Sequence, residues 1–157
     1  MSKILIIAPK KCIGCKTCEV VCSFGKTMAC NPKNAAVTVH DYEEVGIAVP
    51  MMCMQCEDAA CMKVCPVSAL TRDEEGVVNI DFDNCIGCKM CISACPFGNV
   101  SFNSENKKIV KCDTCIGEAK CAEFCPSKAI EFIEATGLNM ANKEKMAQKF
   151  KEVFEEV

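Results

Sequence analysis

Residues 85–96 read CIGCKMCISACP, and residues 12–22 read CIGCKTCEVVC. Both stretches space four cysteines as C-x2-C-x2-C-x3-C. A cubane of four irons and four sulfides needs four converging thiolates, and three cysteines at this spacing wrap one face of it. The fourth cysteine has begun a helical turn and points to a neighbouring cluster. The two stretches therefore predict [4Fe–4S] clusters in pairs, and their similarity indicates an internal duplication.

Two further cysteine runs complete the pattern, spaced C-x2-C-x4-C-x3-C and C-x2-C-x5-C-x3-C. A proline follows the last cysteine of every run but the first, which suits a turning chain because the ring fixes φ and removes an amide donor. Of the 17 cysteines, only Cys30 lies outside the runs. The sixteen candidate ligands are Cys12, Cys15, Cys18, Cys22, Cys53, Cys56, Cys61, Cys65, Cys85, Cys88, Cys91, Cys95, Cys112, Cys115, Cys121 and Cys125.

Disulfides and zinc are the alternatives to iron–sulfur clusters. The first residues do not resemble a signal peptide, so we expect a cytoplasmic chain with reduced thiols rather than a disulfide framework. Zinc ribbons use two separated C-x-x-C pairs and need no third and fourth cysteine in the same short run. Four runs of four cysteines thus favour four [4Fe–4S] clusters, with zinc as the remaining alternative.

The predicted fold class is α+β, with the clusters replacing much of an ordinary core. Strand-like patterns are predicted over residues 4–7, 36–40, 45–49, 77–82, 109–111 and 130–133. A short helix is expected after each fourth cysteine. Residues 139–157 have the periodicity of an amphipathic helix, which would pack on the chain itself or on a partner.

Three stretches carry a family resemblance: CMQCEDAACMKVCP (53–66), CIGCKMCISACPFG (85–98) and KCDTCIGEAKCAEFCPSKAI (111–130). They resemble the four-cluster ferredoxin-type subunits of molybdenum and tungsten oxidoreductases, formate dehydrogenases, hydrogenases and carbon monoxide dehydrogenases. The segment after Cys22 is similar to that of small members accompanying tungsten aldehyde oxidoreductases. The sequence departs from the family at Ala59 and Ala60, where a proline is frequent.

The resemblance implies tandem ferredoxin-like modules over residues 1–133, followed by a helical extension over 134–157. An outer module would combine the runs 12–22 and 112–125, and an inner module the runs 53–65 and 85–95. It also implies four ligand sets: Cys12/Cys15/Cys18/Cys125, Cys112/Cys115/Cys121/Cys22, Cys53/Cys56/Cys61/Cys95 and Cys85/Cys88/Cys91/Cys65.

The expected function is one-electron transfer as a subunit of an anaerobic oxidoreductase complex. Its partners would be a catalytic subunit containing tungsten, molybdenum or nickel, and a ferredoxin or another redox protein. A free polyferredoxin and an iron–sulfur redox sensor are the alternatives.

No nucleotide loop or nucleophile–base pair suggests an enzyme in its own right. The formal charge of −3 would reach about −11 with four clusters, which disfavours nucleic acid, and no apolar stretch is long enough to span a membrane.

Three further features have ordinary structural interpretations. We expect Cys30 to be a small packed residue near the first cluster, rather than a reactive thiol or an extra ligand. His40, the one histidine, is expected to be an ordinary hairpin residue rather than a proton-coupling group. Several methionines surround the second run, where they would fill gaps and keep water away from a cluster. They are Met51, Met52, Met54 and Met62.

Overall fold

The computed structural model describes residues 3–134, which form short helices and strands connected by the cysteine loops. The predicted helix over residues 139–157 lies outside this part of the chain. The described helices are α1 (Thr17–Thr27), α2 (Ala60–Lys63), α3 (Met90–Ala94) and α4 (Lys120–Glu123). The strands are β1 (Lys3–Ile7), β2 (Val37–Tyr42), β3 (Ile47–Met52), β4 (Leu70–Arg72), β5 (Val78–Ile80), β6 (Val100–Asn103), β7 (Lys108–Lys111) and β8 (Ile130–Glu134).

The strands form antiparallel pairs. Three pairs are hairpins of consecutive strands, β2–β3, β4–β5 and β6–β7. The remaining pair joins the two ends of the described chain, because β1 pairs with β8 and places Leu5 opposite Phe132. All six predicted strand regions contain strands, with bounds shifted by up to three residues. Strands β4 and β6 were not predicted from the sequence.

Each helix carries the third cysteine of its run, and α2, α3 and α4 end at or just before the fourth. The prediction of a short helix after each fourth cysteine is therefore wrong for the second, third and fourth runs. In the three runs with proline, a turn follows instead, and its third residue has a left-handed backbone with φ of 51–66° (Ser68, Gly98, Lys128). The amide of that residue donates to the carbonyl of the fourth cysteine at 3.2–3.3 Å. A strand begins two residues later, so each turn connects a short helix to the next strand.

The first run behaves differently because Ser23 stands where the other runs have proline. The Ser23 backbone can continue the helix, and its hydroxyl donates to the Val20 carbonyl at 2.8 Å. Helix α1 therefore passes through Cys22 and extends to Thr27, giving 11 residues instead of four or five.

Two buried clusters of side chains make up the interior. The outer core contains Val37, Met52 and Ile130 together with cysteines of the first and fourth runs. The inner core contains Leu70, Val78, Val100 and Ile109, with cysteines of the second and third runs packed around it. Helix α1 packs on α4 and α2 packs on α3. The packing thus brings the first run to the fourth and the second run to the third.

Candidate iron–sulfur sites

Site 1 is a cavity lined by Cys12, Cys15 and Cys18 of the first run and by Cys125 of the fourth. Its other walls are mainly apolar, and they include Val39 and Pro50 from the β2–β3 hairpin, Pro126 and Ile130. Cys18 and Cys125 are far apart in the sequence, and the β1–β8 pair and the α1–α4 contact bring them together. The cavity therefore joins three cysteines of one run to the fourth cysteine of another.

Sites 2 and 3 repeat this arrangement with the two middle runs. Site 2 is lined by Cys53, Cys56, Cys61 and Cys95. Site 3 is lined by Cys85, Cys88, Cys91 and Cys65. Each cavity takes its fourth cysteine from the run that supplies three cysteines to the other cavity.

Site 4 is the remaining candidate set, Cys112, Cys115, Cys121 and Cys22, and it lies beside a more open groove than the cavities of the other three sites. Cys112 and Cys115 line a groove of about 620 Å³, whereas Cys22 and Cys121 do not. Burial, and after it the neighbouring Cys112, Cys22 and Cys115, raise the pKa of Cys121 to about 12. The four thiols are thus close enough to interact electrostatically.

The donor chemistry of these sites fits iron–sulfur clusters. The converging donors are thiols in every site, and the sulfurs of sites 1 to 3 surround a void. Within residues 3–134, no group of three or more histidine, cysteine, aspartate or glutamate side chains is placed to hold a single metal ion. Zinc requires four ligands at about 2.3 Å from one point, whereas a cubane occupies a volume that the ligands surround.

The tight cysteine loops depend on residues with a left-handed backbone. Gly14 and Gly87 have φ of 66° and 67° in the two C-I-G-C loops, and Lys16 and Lys89 follow with φ of 56° and 65°. The same residue types thus produce the same backbone path in both loops. In the second run Gln55 occupies the place of the glycine, with φ of 47°.

Backbone amides donate to several cysteine sulfurs. The bonds run from Ala36 to Cys22 at 3.3 Å, from Ala69 to Cys65 at 3.3 Å and from Thr114 to Cys112 at 3.4 Å. Such bonds stabilise negative charge on sulfur and raise the reduction potential of a bound cluster. For Cys65, burial raises the thiol pKa, but the amides of the following turn outweigh burial and the pKa is lowered.

Several polar residues that the sequence analysis did not select hold the cysteine loops. Arg72 donates to the carbonyls of Cys56 and Glu57 in the second run and to that of Gly76 in the β4–β5 turn. The Asp113 carboxylate pairs with Lys26 of α1 at 2.8 Å and accepts from the Cys115 amide at 3.0 Å. Arg72 could have been selected from the sequence, because it is the one arginine of the chain. Asp113 gave no comparable signal.

The remaining sequence-based expectations have mixed outcomes. Cys30 is exposed, so the prediction that it is a packed residue is wrong. His40 is exposed on β2, opposite Val49. Among the methionines near the second run, Met52 is almost fully buried in the outer core, whereas Met54 is half exposed. No helix within residues 3–134 is long and apolar enough to cross a membrane.

Comparison with protein families identifies the class of protein that this fold and these sites define. Residues 44–134 match the model of the 4Fe-4S dicluster domain, and residues 9–25 match that of a 4Fe-4S binding domain. The chain therefore belongs to the 4Fe-4S dicluster domain family. Its cofactors are [4Fe–4S] clusters, and its sixteen grouped cysteines are the number that four clusters require.

Individual relatives agree with this assignment. The chain is 40% identical over 94 residues to the electron transport protein HydN of Escherichia coli K12, a match covering 57% of this chain and 53% of HydN. It is 36% identical over 85 residues to the thiosulfate reductase electron transfer subunit PhsB of Salmonella typhi, covering 50% of this chain and 44% of PhsB. Each match thus spans about half the length of the relative.

A solved structure shows the same fold. The active site complex BamBC of benzoyl coenzyme A reductase contains a chain that superimposes with a TM-score of 0.50 at 22% identity. The superposition covers 92% of this chain and 89% of the other.

Proposed function

We propose that the chain conducts single electrons through four [4Fe–4S] clusters and has no catalytic site of its own. The observation that carries this proposal is the crossed arrangement of sites 1 to 3, in which three cysteines of one run share a cavity with the fourth cysteine of another run. Each cluster would supply a centre that accepts and releases one electron. The protein would position these centres, exclude water from them and set their potentials.

The proposed ligand sets are the four cysteine groups of sites 1 to 4. A wild-type chain would then hold about sixteen irons. Replacing Cys125 by alanine should disrupt one cluster, because Cys125 would be the fourth ligand of site 1. The matched control is Cys30→Ala, since Cys30 is exposed and lines none of the four sites. Equal iron and sulfide contents in the two variants would contradict this ligand assignment.

The tandem arrangement is part of the proposal. An outer module would contain sites 1 and 4 with the outer core, and an inner module would contain sites 2 and 3 with the inner core. The pairing of β1 with β8 and the separate α1–α4 and α2–α3 contacts support this division. The four-cluster domain would span residues 1–133, with 134–157 as an extension.

The proposed partner is a catalytic oxidoreductase subunit containing tungsten, molybdenum or nickel, with a ferredoxin or another redox protein at the other end of the electron path. One relative is the electron transfer subunit PhsB of thiosulfate reductase, which supports a role within a complex. A cytoplasmic location is proposed because reduced thiols are required for cluster assembly.

The test is to purify the native protein without oxygen, together with whatever remains bound, and to measure its metals and its one-electron reduction by electron paramagnetic resonance. We expect about sixteen irons per chain, signals from reduced clusters, and tungsten, molybdenum or nickel in a bound partner. Zinc in place of iron would contradict the proposal. Iron without a second metal would instead favour a free carrier, and reducible clusters that exchange no electrons with any enzyme would favour a sensor.

A further inference from the structure

Lys111, the last residue of β7, carries a buried cation between two of the cluster sites. Its side chain lies in the inner wall of site 2 and also lines the groove next to Cys112 of site 4. Only 5% of the residue is exposed. Lysine is rarely buried to this extent, because removing an ammonium group from water is costly unless charge nearby compensates it.

The hydrogen-bond partners of Lys111 within the described residues are neutral oxygens. Its Nζ donates to the Val78 carbonyl at 2.6 Å, to the Cys112 carbonyl at 3.0 Å and to Gln55 Oε1 at 3.4 Å. These bonds satisfy the three N–H groups of the ammonium but supply no negative charge. The described ion pairs, none of which includes Lys111, involve other lysines.

The proposed clusters would supply the missing negative charge. A [4Fe–4S] cluster with four thiolates carries a charge of about −2 when oxidised, and reduction makes it more negative. Lys111 lines the site 2 cavity together with its four cysteines, which places the cation beside the site. In a dry interior such an interaction is screened much less than at the surface.

Gln55 fixes the ammonium between the two sites. Its Oε1 accepts from the Val78 amide at 3.0 Å as well as from Lys111, and its Nε2 donates to the Cys112 carbonyl at 2.9 Å. Gln55 lies inside the second cysteine run, whereas Cys112 begins the fourth. The Gln55–Lys111 network therefore ties a loop of site 2 to the first ligand of site 4.

We propose that Lys111 is a positioning residue that raises the reduction potential of the site 2 cluster and so directs electrons towards the junction between sites 2 and 4. This inference rests on the proposed function. The one-electron reduction adds negative charge next to a fixed cation, with no bond made or broken. The electron comes from the low-potential reductant or mediator that the experiment supplies.

The experiment compares the wild-type chain with Lys111→Met and Lys108→Met, each loaded with clusters and titrated anaerobically with dithionite while electron paramagnetic resonance is recorded. Met has a similar length but no charge. Lys108 lies on the same strand and is exposed, so its removal controls for the loss of one positive charge. In Lys111→Met we expect one of the four reduction steps, that of the site 2 cluster, to move to lower potential by about 59 mV or more, which is a tenfold change in the oxidised-to-reduced ratio for one electron. The Lys108→Met step should move by much less.

A third variant, Lys111→Arg, keeps the positive charge but changes the shape of the side chain. It therefore distinguishes the effect of the charge from the effect of packing. If Lys111→Met loses the site 2 cluster, retention of that cluster with a near-normal potential in Lys111→Arg supports the role of the charge. Loss of the cluster in both variants, or equal potentials in the wild type and in Lys111→Met, would overturn the proposal. A wild-type chain without about sixteen irons would refute the proposed function instead, so the two failures are distinguishable.

Discussion

The outer sites 1 and 4 and the inner sites 2 and 3 use equivalent cysteine runs but bury their thiols to different extents. Five of the eight outer cysteines are buried, whereas Cys91 is the one buried cysteine of the inner eight. The difference arises between the first two runs, where the β2–β3 hairpin supplies Val37, Val39 and Met52 to the outer core. The repeated cysteine motif thus places the thiols, while the segments between the runs determine how exposed those thiols are. Solvent access is one of the factors that set cluster potentials.

The largest expected contrast is in thiol reactivity of the cluster-free chain. Burial raises the pKa of Cys112 to about 12, whereas the amides around Cys65 overcome the effect of burial and lower its pKa below 9.0. Because the thiolate is the reacting species, iodoacetamide at pH 8 should label Cys65 roughly a hundredfold faster or more. Labelling of Cys112 should keep rising with pH up to about 12, whereas that of Cys65 should level off below 9.0. Peptide mass spectrometry measures both rates.

The urea-unfolded chain is the control for the labelling experiment. There the two cysteines should react at similar rates, because neither burial nor the turn amides act on them. If Cys65 and Cys112 were labelled at similar rates in the folded chain as well, the two thiols would not differ in pKa as proposed.

Asp113 tests the anchoring of the outer sites. Burial raises its pKa, but the Lys26 ammonium outweighs burial and the pKa is lowered from 3.8. The pair therefore stabilises the fold fully above this ordinary value, and the contribution is lost as the pH falls through the lowered pKa. Asp113→Asn should reduce the free energy of unfolding by about 1 kcal/mol at pH 7, because solvent screens this partly exposed pair, and by less in acid.

Urea unfolding at pH 7 and pH 3 measures this effect. The matched control is Glu105→Gln, since the Lys33–Glu105 pair is exposed and 3.9 Å long, and should change stability by less than about 0.5 kcal/mol. Equal effects of the two substitutions would show that the Lys26–Asp113 pair is an ordinary surface contact.

Arg72 is the corresponding anchor of the inner region. Its guanidinium contacts the carbonyls of Cys56, Glu57 and Gly76, and a lysine ammonium lacks the fork geometry to reach all three. Arg72→Lys should cost about 1–2 kcal/mol of stability and should speed iron removal from site 2 by a chelator. An unchanged rate of iron loss would mean that Arg72 stabilises the β4–β5 turn without positioning the cysteine loop.

The smallest effect compares the two C-I-G-C loops directly. Alanine at Gly14 or Gly87 must adopt nearly the same left-handed φ, which costs about 1 kcal/mol. At Gly14 the added Cβ would also lie 3.1 Å from Asp41 Oδ1, whereas at Gly87 no atom lies within 4 Å. Asp41 is held by Lys16 at 2.7 Å, so it cannot move freely. Gly14→Ala should therefore be more destabilising than Gly87→Ala by up to about 1 kcal/mol in urea unfolding. Equal losses would show that the Asp41 contact relaxes.

The sequence predicted the features that repeat and missed those that depend on packing. The sequence was sufficient to predict the spacing of the cysteine runs, the glycines of the C-I-G-C loops and the location of six strands. The helix positions were misjudged because the turn after Cys65 depends on Ser68 adopting a left-handed backbone, which is unusual for serine. The buried ammonium of Lys111 was not predictable, since charged residues at strand ends are ordinarily exposed.

An anaerobic crystal structure of the cluster-loaded protein, with anomalous scattering at the iron edge, tests the central claim most directly. We expect four groups of four irons, with Cys125 Sγ bonded to the cluster held by Cys12, Cys15 and Cys18, and Cys22 Sγ bonded to the cluster held by Cys112, Cys115 and Cys121. Ligation of any cluster by four cysteines of a single run, or a single ion in place of a four-iron group, would contradict the crossed arrangement.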